Sequence, residues 1–400
     1  MARKGVLFME KLNSKFMYDN KWTDLVKKQY NEDHENKNDP YAKIVKNGIL
    51  LPNKPGNQPW GIGGCINENN KLVDESTVIR AFGGNYPFDK KEIEFLNERI
   101  VYIPIIPKHW GHFLIDAISR FWIFFDDRFN VNDLKIYYSS WGWEKNEIDG
   151  NYRKFIEYLG LFDRMIPIDH PIQAKEVIIP CYTMSFCDTY NEEYKLPFKE
   201  IIKRVMNSES IQRLEPAEKI YFTRTRLTSS KFKEIGEKEI EDVMKENGFL
   251  IMSPEAMSLE EQIFYINNCT IMAGMSGTIM HNIVFTNKQT KLFIFNRTCM
   301  PNSPQLMLNK LYDNEIYNVD TYKSITVKQP RDYGSGPFWI CVNDNFVRFC
   351  DEFEFEVDDT KSNPNVIINY LKYYSALVYY GITRSKFAIY VYVFFKRYFR

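Results

Sequence analysis

The sequence has no surplus of charge, no CxxC pair and no apolar run long enough to cross a bilayer. Its 400 residues carry 52 Lys+Arg against 52 Asp+Glu. A balanced chain gives no global electrostatic reason to bind nucleic acid, so any basic surface must be local. The seven cysteines, Cys65, Cys181, Cys187, Cys269, Cys299, Cys341 and Cys350, are odd in number. Without CxxC spacing they predict buried free thiols of a reducing compartment, neither a disulfide frame nor a zinc site. Residues 1–20 carry charges throughout with no apolar core, which argues against a signal peptide or an N-terminal anchor.

What the chain does have is apolar and aromatic mass. Hydrophobic residues make up 44% and aromatics 16%, enough for sizeable cores, and the length fits two domains or one large one. The aromatic content suits sugar-facing surfaces and equally a compositional habit.

Along the chain, residues 1 to about 60 read as polar and poorly periodic, with Pro52–Gly64 as Pro/Gly punctuation. Regular structure is expected from about Ile100. A strand at Ile100–Ile105, a helix after Gly111, a strand at Lys135–Tyr138, a helix near Tyr152–Leu159 and short strands near Met165–Ile168 and Glu176–Ile179 form a βαβ pattern, which predicts a parallel sheet. Phe198–Met206 reads as a connecting helix. The second half reads as strand Lys219–Thr223, helix Glu237–Asn247 stopped by Gly248, and strand Phe249–Met252. The capping box Ser258/Glu261 then opens a helix to about Asn268. Strand Thr270–Ala273, helix Thr278–Phe285 and strand Lys291–Phe295 follow. This is a doubly wound α/β pattern, a class that binds ligands at the carboxyl ends of its strands. The expected division is 1–210, 211–355 and a helical tail, 356–400. The tail's last part, Phe387–Phe395 followed by Lys396-Arg397-Tyr398-Phe399-Arg400, suits either a membrane interface or packing on the N-terminal lobe.

Two segments carry chemistry. In Gly111–Trp122, nearly all apolar, His112, Asp116 and Arg120 recur every fourth position, on one stripe of an α-helix. A buried charged stripe is either a structural Asp116–Arg120 ion pair with a hydrogen-bonded His112, or a site. Cys269–Phe285 reads as a buried strand, a small-residue turn and a helix. Its Ser276-Gly277-Thr278 falls where a helix N-terminus offers free N–H groups to an anion; a plain turn with Ser or Thr as N-cap has the same sequence.

Three blocks in order resemble glycosyltransferase family 61. The first is His109-Trp110-Gly111-His112-Phe113-Leu114-Ile115-Asp116 with Arg120 and Trp122. The second is Tyr221-Phe222-Thr223-Arg224-Thr225-Arg226, then Glu237, Glu239, Gly248-Phe249 and Pro254-Glu255. The third is Gln262, then Gly274 through Asn282 and Phe285. The resemblance implies inverting transfer from a nucleotide sugar by a GT-B-like fold, two Rossmann-like lobes with a cleft between them. It also implies a role in bacterial capsule or surface polysaccharide synthesis. One departure stands out: many members have a His where this chain has Ser276, so any role tied to that imidazole is in doubt here.

Inverting transfer needs a base for the acceptor hydroxyl and cationic or N–H groups for the leaving diphosphate. Asp116 is the first candidate base and His112 the second. If Arg120 pairs with Asp116, the order reverses. Arg224 and Arg226, after a strand, are candidate phosphate clamps, with Ser276, Gly277 and Thr278 as backbone donors and Glu255 on the ribose. Arg120, His109 and Asn282 are supporting residues. No metal and no cofactor are expected, only a nucleotide-sugar donor, UDP-linked by expectation, and a glycan or lipid-linked glycan acceptor, with no nucleic-acid partner. The expected location is cytoplasmic, with the tail as a peripheral membrane contact on the inner face of the plasma membrane. The competing readings are another GT-B-like polysaccharide enzyme, such as a pyruvyl transferase or epimerase, and a non-catalytic nucleotide-sugar or glycan-binding homologue.

Overall fold

The computed structural model describes residues 11–383 apart from 90, 92, 141–146, 186–188, 228–233, 288, 325, 327–332, 335 and 358–365. It is a mixed α/β structure built on two main sheets. One is six-stranded, in the order Leu12–Phe16, Glu315–Asp320, Lys291–Asn296, Ile271–Met275, Lys219–Phe222, Leu250–Met252, and every neighbouring pair in it is parallel. Its strands are nearly continuous apolar runs, such as Leu292–Phe295, buried on both faces as a helix-covered parallel sheet requires.

The other sheet is mixed rather than parallel throughout. Ile172–Pro180, Glu94–Ile103, Ile136–Tyr138 and Met165–Pro167 run parallel. Ala42–Lys46 and Ile49–Lys54 pair antiparallel with Ile172–Pro180, and Ile62–Ile66 pairs antiparallel with Ile49–Lys54. The βαβ reading from about Ile100 therefore holds for one side of this sheet only. Regular structure also begins much earlier than expected. Leu12–Phe16 is a strand, and Lys21–Asn31 is a helix capped by Asn20, whose side chain accepts the N–H of Trp22 at 2.9 Å. The Pro52–Gly64 stretch contains the facing ends of two paired strands and, at 55–61, the turn between them.

The first strand crosses to the six-stranded sheet, where it lies parallel to Glu315–Asp320. Its follow-on residue Tyr18 donates its N–H to Asp320 at 2.8 Å. Asp320 also accepts from Asn296 Nδ2 at 2.9 Å and Tyr322 Oη at 2.8 Å. Burial pushes its carboxyl up to about 6 despite these donors.

The two sheets share one hydrophobic core. Phe113, Phe155 and Phe198 from the first half pack with Phe285, Ile263 and Ile283 from the second, with Phe198 and Phe285 ring centroids 5.9 Å apart. The helix Leu259–Asn268 that joins this core carries the expected capping box in full: Ser258 Oγ accepts the Glu261 N–H at 3.1 Å and Glu261 accepts the Ser258 N–H at 2.7 Å. Of the tail, helix Val366–Thr383 is described. It seats Tyr373 and Ala376 on Ile235 and Trp339, in the second half of the chain rather than on the N-terminal lobe; the aromatic and basic run at 387–400 lies outside the described residues. The six described cysteines are free thiols.

Candidate functional site

The parallel sheet has a switch point. From Lys219–Phe222 the chain moves to one neighbour, Leu250–Met252, and then returns to the other, Ile271–Met275. Loops leaving two such strands diverge and open a crevice at their carboxyl ends. The residues there are Thr223 and Arg224 on one strand and Ser276, Gly277 and Thr278 on the other.

The chain from Met275 to Thr278 turns through Gly277, at φ +138° and ψ −164°, a region that only glycine enters without strain. Ser276 spends its N–H on Phe295 O at 2.8 Å, and the Met280 N–H returns to Gly277 O at 3.0 Å. The N–H groups of Gly277, Thr278 and Ile279 are therefore those this helix start offers to an outside partner. The Ser276 hydroxyl is buried and accepts the backbone N–H of Arg297 at 3.2 Å, which braces the turn against the neighbouring strand.

Arg297, which the sequence reading missed, dominates this crevice. It follows the strand Lys291–Asn296 and is 6% exposed. One carboxylate, Glu234, sits between it and Arg224: Arg297 Nη1 donates to Glu234 Oε1, and Arg224 Nε donates to Glu234 Oε2 at 2.7 Å. Arg297 Nη2 donates to Tyr333 O at 3.2 Å, while its buried Nε has no hydrogen-bond partner among the described residues. Its Nη2 lies 2.8 Å from where a Cβ on Gly277 would stand. Two guanidinium groups thus share one carboxylate beside a helix start, and these three side chains together carry one net positive charge. Burial lowers the Arg297 pKa, opposed by Glu234. Behind them, Glu237 accepts the Arg224 N–H at 2.8 Å, and burial together with neighbouring Glu234 raises its carboxyl.

The two sequence-derived arginines separate. The strand stops at Phe222 and the chain turns, with the Leu227 N–H on Arg224 O at 3.1 Å. Arg224 points into the crevice and Arg226 is exposed on the turn. Glu255 is also exposed, its carboxylate accepting from Ser253 Oγ at 3.0 Å.

Gly277→Ala should lower unfolding free energy by about 1–3 kcal/mol through backbone strain at this φ/ψ. Its new methyl also displaces the Arg297 guanidinium. Urea unfolding measures the first effect; an unchanged midpoint would mean that the turn relaxes without glycine.

Facing this turn is the helical segment Trp110–Phe125. Residues 113–124 are all buried, as expected of a helix apolar on every side. Its winding is not uniform: an α-turn at Trp110–His112 widens to a π-turn over Phe113–Ala117, then tightens to 3₁₀ over Ile118–Phe125. Such wide turns recur at functional sites. The change of winding keeps His112 and Asp116 together but carries Arg120 away. His112 Nδ1 and Asp116 Oδ2 are 2.9 Å apart. Arg120 instead donates to the carbonyls of Pro180 and Thr77, the latter at 3.0 Å, and its guanidinium carbon lies 3.8 Å from the Tyr182 ring centroid. Its fully buried charge is spent on backbone dipoles, so of the two readings of the stripe the one with a structural Asp116–Arg120 ion pair does not hold. Asp116 is 4% exposed, and its carboxyl is pushed up by burial, against the opposing hydrogen bond and charge of His112 and the charge of Arg120.

The His112 ring is flanked by His109, at 4.8 Å between centroids, and by Trp60, at 4.7 Å. Trp60 comes from the Pro/Gly turn of the mixed sheet and is held there by Asn53, whose Nδ2 donates to Trp60 O at 2.8 Å. The helix and the phosphate-type turn touch directly. Trp110 Nε1–H donates to Asn282 Oδ1 at 2.7 Å. A Cβ on Gly111 would stand 3.0 Å from Thr278 Cγ2 and 3.1 Å from His281 Nδ1, so any larger residue there would crowd both side chains. His281 is buried here without a hydrogen-bond partner on either ring nitrogen among the described residues. Burial, with His112 and His109 nearby, holds its pKa down to about 3. The site therefore gathers His109, His112, Asp116, Asn282, Gly277, Thr278 and Arg224 from the sequence reading and adds Arg297, Glu234, His281 and Trp60.

Residues 110–293 match the family model described as Glycosyltransferase 61. The match begins at the tryptophan that bonds Asn282 and ends within the strand leading to Arg297, so it covers both faces of the site and supports the family resemblance over that span. A comparison with curated proteins finds no match.

Proposed function

We propose that the chain is a glycosyltransferase that moves a sugar, with inversion, from a nucleotide-sugar donor to a hydroxyl of a glycan acceptor. The observation that carries this reading is the His112–Asp116 pair set against the Gly277–Thr278 turn and its arginines at the switch point. A base and an anion cradle across one gap are the two groups this reaction requires.

In this reading His112 is the base and Asp116 positions it, the reverse of the order the sequence favoured. Asp116 holds the Nδ1 side of the ring, which fixes the tautomer with Nε2 as the basic nitrogen. The acceptor oxygen attacks the anomeric carbon, its proton passes to His112 Nε2, and the anomeric carbon–phosphate oxygen bond breaks with its electron pair on the leaving diphosphate. The buried Asp116 stabilises the imidazolium that forms, as in the acid–base pairs of hydrolases. Arg297 and Arg224, with the N–H groups of Gly277 and Thr278, receive the growing diphosphate charge. Because Arg297 and Arg224 are already fixed by Glu234, they need little reorganisation as that charge develops.

The mixed sheet then serves as the acceptor lobe and the parallel sheet as the donor lobe of a GT-B-like arrangement, with boundaries near 210 and 355 and the first strand crossing over to the donor side. A UDP-linked donor and a surface-polysaccharide acceptor fit the same reading.

Thermal denaturation with nucleotides tests it. A nucleoside diphosphate and its sugar should each stabilise the protein, by about 2.7 kcal/mol at a hundred times Kd. Stabilisation by phosphoenolpyruvate alone would assign a pyruvyl transferase instead, and no response to any UDP, GDP or CMP compound would remove the donor site.

A further inference from the structure

The helix Val366–Thr383 is apolar on two sides, and only one of them is covered. Asn369, Tyr373 and Ala376 face the protein; Tyr373 and Ala376 pack on Ile235 and Trp339, and Asn369 Nδ2 donates to Glu239 at 3.0 Å. The opposite stripe, Ile367, Leu371, Tyr374 and Val378, follows the i, i+4, i+7 spacing of a helix face. It stands in solvent, with Ile367 76%, Leu371 59% and Val378 62% exposed. Single exposed apolar residues are ordinary, but a contiguous stripe of them marks an interaction surface. The only ionisable side chain on the helix besides its tyrosines is Lys372, which is exposed.

The charge of the neighbouring sequence identifies the occupant. The seventeen residues after Thr383 contain Arg384, Lys386, Lys396, Arg397 and Arg400 and no Asp or Glu, interleaved with Phe, Tyr, Ile and Val. An anionic lipid surface is complementary to these cations, whereas the same segment of a second copy carries only like charge. Aromatics and long cationic side chains also divide naturally between the acyl boundary and the headgroups. Among the described residues no helix is long and apolar enough to cross a membrane.

We infer that the exposed stripe of helix 366–383 docks the protein on an anionic membrane surface. The surface is distinct from the sugar-transfer site, and its test does not use activity.

Full-length protein is floated with vesicles of equal parts phosphatidylglycerol and phosphatidylethanolamine, and separately with phosphatidylcholine vesicles. The wild type should float with the first and remain below with the second. The double variant Leu371→Glu, Val378→Glu should lose on the order of tenfold in floated fraction. Its thermal midpoint should stay unchanged, because both side chains are exposed. Lys396→Glu with Arg397→Glu should weaken binding to the anionic vesicles in the same direction. The inference is overturned if the wild type floats with neither vesicle, floats equally with both, or floats as well after the Glu substitutions. It is also overturned if sedimentation finds a dimer that those substitutions dissociate.

Discussion

Replacing His112 by alanine should lower turnover by about a hundred- to ten-thousandfold, the range that a positioned general base supplies, while leaving nucleotide affinity within about twofold, because the proposed diphosphate contacts lie on the other sheet. Asp116→Asn should come close to the same loss, although it touches no reacting atom. The carboxamide presents an N–H where the carboxylate accepted one, which favours the tautomer with hydrogen on Nε2. The analogous change in a Ser-His-Asp triad costs about ten-thousandfold. The pair of results is discriminating. If Asp116 were itself the base, His112→Ala would be the milder change; if His112 is the base, it is at least as severe. Steady-state kinetics with donor saturated, beside nucleotide binding by calorimetry, separates the two.

The second large effect is expected at Arg297. Arg297→Gln removes a fixed donor to the leaving diphosphate and should cost about 2–4 kcal/mol of transition-state stabilisation, as the loss of an oxyanion donor does. It also leaves Glu234, whose side chain is 1% exposed, with Arg224 as its one remaining cation among the described residues. Breaking a buried pair from one side typically costs about 3–5 kcal/mol of stability. Kinetics must therefore be read well below the lowered melting temperature. Arg224→Ala should act in the same direction. Arg226→Ala, on the exposed turn, should change stability by less than about 0.5 kcal/mol and leave turnover near wild type. Equal small effects at all three arginines would remove the diphosphate cradle from this crevice.

Sequence logic reached the parts of this site that are local. The four-residue spacing of His112 and Asp116 survives because the turn between them is wide enough to keep i and i+4 adjacent, whereas the 3₁₀ winding after Ala117 turns Arg120 aside. The Ser276-Gly277-Thr278 turn was legible because glycine there meets a φ that other residues avoid. The capping box at Ser258 was legible because both of its hydrogen bonds close within four residues. Contacts that depend on distant chain segments were not. Arg120 shares the spacing of His112 and Asp116, yet its partners are carbonyls at residues 77 and 180, which no periodicity reports. Trp60 reaches His112 from a turn that reads as punctuation. Leu12–Phe16 is an edge strand ordered by Glu315–Asp320, some 300 residues away, and strand formation of that kind is set by its neighbours more than by its own propensity. Arg297 is the instructive omission. It follows the carboxyl end of a strand just as Arg224 does, beside the strand that carries the turn, so the rule that singled out Arg224 would have found it.

The shared core also bears on how such a site can work. Phe155, Phe198 and Phe285 join the halves through ring contacts at 5.9–6.3 Å. Lys154 and Tyr158 in the first half bind Glu260 in the second at 3.1 Å. These contacts set His112 against Thr278 before any ligand arrives, so much of the orientation cost of the reaction is already met in folding.

The account is tested most directly by a structure of the His112→Ala protein with an intact nucleotide sugar and acceptor bound. The diphosphate should lie between Arg297 and the N–H groups of Gly277 and Thr278. The acceptor oxygen should stand within about 3 Å of the place the His112 Nε2 atom occupies in the wild type, the reach of a general base. A diphosphate bound away from the switch point, or an acceptor oxygen separated from that position by more than one intervening water, would contradict it.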